Sequence, residues 1–129
     1  MIRTIPSLLW ASAAAFLAIG VFFIGWPVRA ANSISLVMSD DVGHIDLRAT
    51  YGGMCLGVGL FYGWLAREPD SLRTGAMSLF FIYGGLGLIR GLSIAQGYEP
   101  NGWMWSFLVI EFAVAAAALI AYRQLQTES

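Results

Sequence analysis

The chain has no lysine, one cysteine, one histidine and little charge of either sign. Charged residues make up 12% of its 129 positions, where a soluble domain carries about 25%. Cys55 alone allows no internal disulfide, no CxxC redox pair and no thiolate metal cage. His44 alone makes a histidine-based metal site improbable, and the acids of "DDVGHID" match no ligand spacing of a known cage. The net charge of -1 argues against a nucleic-acid footprint, which would need a basic patch. No nucleophile stands beside a base, since Cys55 lies in a glycine-rich run and His44 in a different region. The sequence therefore leans away from an enzyme and implies no metal or cofactor.

What is abundant is apolar: 58% of residues are hydrophobic. Four runs, at 5–26, 47–65, 75–95 and 103–122, approach the ~20 residues that cross the hydrocarbon core as a helix. The first exceeds the ~7–15-residue core of a signal peptide, so an uncleaved membrane helix is expected despite Arg3 before it and "VRAA" after it. Inside lipid every backbone polar group must be satisfied within the segment, which makes such runs helices. "AREPDSLRTG" and "QGYEPNG" are short connections, with Asp70 or Ser71 placed to cap the third helix. Short connections make successive helices antiparallel neighbours. The expected fold is all-α, an integral membrane up-down four-helix bundle forming one domain. The 27–45 connection is the longest; its 34–38 stretch reads equally as a short strand or an interfacial helical turn.

Arg3, Arg67, Arg73 and Arg123 flank one side of these segments, and Arg29 the other. Under the positive-inside rule both termini are cytoplasmic, in a multi-pass protein. Trp26, Trp103 and Trp105 then fall at the outer boundary and Trp64 and Tyr122 at the inner one, where aromatic belts form.

Two patterns inside the helices carry chemistry. Gly53–Gly57, Gly59–Gly63 and Gly87–Gly91 are spaced by four, which lets helix backbones approach closely. They are expected to pack the second helix on the third, or to form a face for another chain. Arg48, Arg90 and Glu111 lie within apolar surroundings, and each unpaired charge near the membrane centre costs about 2.5–3.5 kcal/mol on the insertion scale. An Arg48–Glu111–Arg90 cluster at the outer end of the bundle follows, rimmed by His44, Asp46, Gln96 and Glu99. One reading makes it a structural staple. The other makes it an outward-facing polar pocket for a lipid, quinone or small amphiphile, because intramembrane ionisable groups mark functional sites by default.

With "DLRATYGG", "GLGLIRGLS" and "VIEF", the chain resembles a family of small bacterial membrane proteins, domain of unknown function 4345. The resemblance is most specific at Arg48, Gly52, Gly53, Arg90, Ser93, Gly97 and Glu111. It implies four helices and that the buried arginines and the glutamate belong to a shared pattern; the expected location is the bacterial inner (cytoplasmic) membrane. It implies no activity. Two functions remain open: binding an amphiphile, or serving as a structural or accessory subunit in a homo-oligomer or larger membrane complex. Membrane lipid is a partner under both.

Overall fold

The computed structural model describes residues 4–127; Arg3, one of the arginines on which the expected orientation rests, lies outside them. The chain is all-helical, and among the described residues there is no strand. The helices are α1 (Thr4–Gly25), α2 (Pro27–Ser33), α3 (Asp41–Leu47), α4 (Met54–Leu65), α5 (Leu72–Ala95) and α6 (Gly102–Thr127). A π-helical segment, Arg48–Gly53, joins α3 to α4, and a 3-10 turn, Pro69–Ser71, precedes α5. Among the described residues three helices are long and apolar enough to cross a membrane: α1, α5 with its preceding turn, and α6.

Local chemistry sets the boundaries. Pro27 cannot continue α1, and Trp26 before it leaves helical geometry at φ -133°, so α2 starts with proline in its first turn. At the end of α2 the Leu36 amide donates to the Ala31 carbonyl (2.9 Å) and the Ser35 amide to that of Asn32 (3.1 Å). This is a Schellman ending, with Ser35 at φ 60°, where glycine is usual. Gly97 closes α5 in the same way at φ 101°. The Asn101 side chain accepts from the Met104 amide at 3.0 Å and so caps α6.

Several boundaries differ from expectation. The long connection holds two short helices, and its 34–38 stretch is a turn leading into irregular chain. The Asp40 carboxylate accepts from the Gly43 amide at 2.9 Å and caps α3. Helical structure thus begins at Asp41 rather than at 47, and Asp46 sits in the last turn of α3 instead of at a helix start. α6 runs five residues past the apolar limit at 122, because a helix persists beyond the point where hydropathy falls. Ser71 occupies the cap position of α5 without a side-chain cap bond.

The chain divides into two compact units, Trp10–Trp64 and Met1–Leu9 with Leu65–Ser129. In the first, glycines bring α1 against the π segment and α4. A Cβ on Gly20 would lie 2.8 Å from Leu56 Cγ and 2.9 Å from the Gly52 carbonyl oxygen. One on Gly52 would lie 2.6 Å from Ile24, and one on Gly59 2.7 Å from Leu17. Tyr62 is buried here with its ring against Phe16, and Phe23 stacks on Tyr51. Phe23, Ala30, Ala31 and Leu47 form a core that folds α2 and α3 back on the end of α1.

In the other unit α5 and α6 form a close antiparallel hairpin. Gly84 faces Ala115, Gly87 faces Glu111 and Gly91 faces Leu108. The buried residues of α6, Glu111, Ala115, Ala118 and Ala121, recur every three or four positions on one face. Ile5 and Leu9 of α1 are buried in this unit, and Gly75 leaves room for Leu9.

The spaced glycines meet different surroundings, residue by residue. Gly59 packs tightly, against α1; Gly63 makes ordinary contact with Trp10; Gly87 and Gly91 pack on α6. A Cβ on Gly57 would meet nothing within 4 Å, and one on Gly53 only its own helical segment. Spacing by four places glycines on one face but cannot say what that face meets. Replacing Gly52 or Gly59 with leucine should destabilise the chain by at least the ~1–3 kcal/mol typical of overpacking, whereas Gly57→Leu should leave it almost unchanged. Thermal unfolding in detergent, followed by circular dichroism, separates these outcomes.

Candidate functional site: a buried arginine–glutamate pair

Glu111 projects from the α5-facing side of α6 and is 5% exposed. Its neighbours in sequence, Ile110 and Phe112, are apolar, so its partner has to come from another helix. The antiparallel hairpin supplies Arg90. Arg90 Nε donates to Glu111 Oε2 at 2.9 Å, and Nη2 donates to Oε1 at 2.7 Å. Both carboxylate oxygens are engaged by one edge of the guanidinium, the geometry in which arginine recognises carboxylate best. The remaining terminal nitrogen, Nη1, donates to the Met104 sulfur at 2.9 Å. The guanidinium carbon stands 5.5 Å from the Phe107 ring centroid, within cation–π range.

Two backbone features make the pairing possible. A Cβ on Gly87 would come within 3.2 Å of Glu111 Cβ, so glycine there lets α6 sit close enough for the short carboxylate arm to reach Arg90. At the other end of the hairpin Arg73 Nη2 donates to the Leu125 carbonyl at 2.9 Å, satisfying one of the last carbonyls of α6. Arginines thus tie α5 to α6 at both ends.

Of the expected cluster, Arg90 and Glu111 lie in one compact unit and pair, and Arg48 lies in the other. Arg90 occupies both oxygens of Glu111, while Arg48 is an exposed residue opening the π segment. The π segment that Arg48 opens is an irregularity that apolar patterning did not reveal. The expected rim is also dispersed along the chain. His44 and Asp46 belong to α3, while Gln96 ends α5 and Glu99 lies in the exposed turn after it. Met104 and Phe107 went unnoticed in sequence, yet the signal was present: they lie seven and four positions before Glu111, on the same face of α6. Gly20 and Gly75 were also missed, each lying outside the spacing-by-four pairs.

Chemically the pair is charge-balanced and holds its two helices in register. Removing either partner should cost about 3–5 kcal/mol, whereas replacing both with apolar residues can be close to neutral. The double mutant Arg90→Leu/Glu111→Leu should therefore be more stable than either single mutant. Arg48→Leu, which alters an exposed side chain, should shift stability by less than about 0.5 kcal/mol. A double-mutant cycle by denaturant unfolding in detergent measures both; additive losses in the Arg90/Glu111 cycle would deny the coupling.

No curated protein and no solved structure matches the chain. A family model does: the one described as domain of unknown function (DUF4345) matches residues 6–122, taking in α1 through most of α6 and both members of the Arg90–Glu111 pair. Since that match covers nearly the whole sequence, the chain belongs to the DUF4345 family.

Proposed function

We propose that this chain is a non-enzymatic, multi-pass protein of the bacterial inner membrane that serves as a structural or accessory subunit. In this reading it is an up-down four-helix bundle with both termini cytoplasmic. The fourth span is the helical run from the π segment at Arg48 to Leu65, about 27 Å long at the α-helical rise and so close to the ~30 Å of the hydrocarbon core. The arginine asymmetry supports the orientation.

The observation that carries the accessory reading is the open space over the Gly53–Gly57 face of α4. Glycine there weakens helix propensity, yet among the described residues a Cβ on Gly57 would meet nothing within 4 Å and one on Gly53 only the Arg48 carbonyl. Close backbone approach by a helix of a second copy, or of a larger membrane complex, would use it. The paired state of Glu111 supports the same reading, since a carboxylate held by one guanidinium is a charge-balanced staple between α5 and α6.

A second reading, binding of a lipid, quinone or small amphiphile in an outward-facing polar pocket, is favoured by one feature. The Arg90 side chain retains 25% exposure beside a thioether and an aromatic face, a setting that suits a flat, weakly polar headgroup.

Native mass spectrometry from gentle detergent tests the two together. The accessory reading expects a defined oligomer or complex that Gly57→Leu dissociates without unfolding the chain. A monomer carrying a lipid-sized mass, lost in Arg90→Leu/Glu111→Leu, would overturn it in favour of the second. The topology is checked on intact cells, in a Cys55→Ala chain. An impermeant thiol reagent should label Ser39→Cys and leave Thr127→Cys untouched.

A further inference from the structure

The connection between α1 and α4 is built with apolar surface on both its sides. Inwardly, Ala30, Ala31 and Leu47 are buried with Phe23, and Ile34 and Met38 pack against them. Outwardly, Val37 is 89% exposed, Val42 71% and Ile45 70%. Beside exposed polar residues such as Arg29, Asn32, Ser39 and Asp40, this connection leaves three β-branched apolar side chains outward although it already has an inner core.

We propose that residues 27–47 form a cap inserted in the membrane interface, with Val37, Val42 and Ile45 against lipid at the boundary between headgroups and acyl chains. The inference rests on the multi-pass reading above. Continuity with the spans supports the lipid as occupant. α2 starts one residue after Trp26, which directly follows the last residue of α1, and α3 runs unbroken into the π segment and α4. A segment tethered at both ends to the rims of two spans is held at the depth where those spans leave the hydrocarbon.

The arrangement of α3 fits. At 100° per residue, Ile45 and Val42 sit about 60° apart, with Asp41 about 40° beyond one and Asp46 about 40° beyond the other. Two apolar side chains flanked by acids, opposite the buried Leu47, is the pattern of a helix whose apolar stripe meets lipid while its flanking charges stay in the headgroup layer. Asp40, Asp41 and Asp46 outnumber Arg29 and Arg48 in and beside the cap, so attraction to anionic lipid does not hold it. Insertion is apolar, and zwitterionic phosphatidylcholine is a sufficient surface.

The test uses the full chain with Cys55→Ala in phosphatidylcholine vesicles. Nitroxide spin labels are placed singly through Val37→Cys, Val42→Cys, Ile45→Cys, Asp40→Cys and, as a mid-span reference, Leu60→Cys. Collisions with oxygen, which concentrates in lipid, are compared with collisions with a water-soluble nickel chelate. Oxygen should dominate at Val37, Val42, Ile45 and Leu60, and nickel at Asp40. Adding phosphatidylglycerol or salt should leave the pattern unchanged. Nickel dominating at the three cap positions while oxygen dominates at Leu60 would place the cap in water, overturning this inference and sparing the multi-pass reading. Exclusion of both reagents at the cap, with spin–spin broadening, would mean that a second copy covers it and would equally overturn the proposal. Nickel dominating at Leu60 as well would overturn the multi-pass reading and the cap with it. If Cys55→Ala fails to fold, the native chain serves, its buried thiol being checked for silence by labelling the parent protein.

Discussion

A carboxylate among apolar residues needs a partner that its own helix does not provide, and the α5–α6 hairpin is organised around that need. Glu111 takes both bonds from one guanidinium, and the bidentate geometry ties the two helices at a single register. Sliding α6 along α5 by one turn moves the carboxylate about 5.4 Å, enough to break both bonds and leave two charges unpaired. Neighbouring positions follow from this anchor. Gly87 carries no side chain because Glu111 occupies its space. Met104 and Phe107 surround the rest of the guanidinium with a soft acceptor and a π face. A pair of this kind adds less net stability than its short distances suggest, since desolvation offsets much of the attraction. Its clearer consequence is specificity of helix pairing, because the misregistered alternatives are costly.

Elsewhere the helices meet through the absence of side chains. Apolar surface gains nothing by leaving lipid for another apolar surface, so helices in a membrane hold together by van der Waals contact, which rewards close approach. Gly20, Gly52 and Gly59 bring α1 against the helical run before Leu65, and Gly75 receives Leu9. Gly57 and Gly85 have the same helical setting, but among the described residues a Cβ on either would meet nothing within 4 Å. Glycine-rich sequence therefore holds two populations, one consumed inside each compact unit and one left on the surface. The second gives the accessory reading its physical content.

Much of this protein was legible in the sequence. Low charge and long apolar runs determined that it would be helical, with segments able to cross a membrane, because lipid leaves a backbone few other ways to satisfy its polar groups. The same physics singled out Glu111 and required an arginine for it. The choice between Arg48 and Arg90 belonged to the tertiary structure. It depended on α5 being the helix that lies antiparallel to α6 and brings Arg90 to the carboxylate. The two short helices of the long connection were hidden for a related reason: each is seven residues long, too short to show a period and too short to be stable without the core it shares with Phe23. Periodicity and burial cost are properties of one segment and can be read from that segment alone. Which glycine meets a neighbour, and which arginine reaches the carboxylate, are properties of pairs of segments, and only packing decides them.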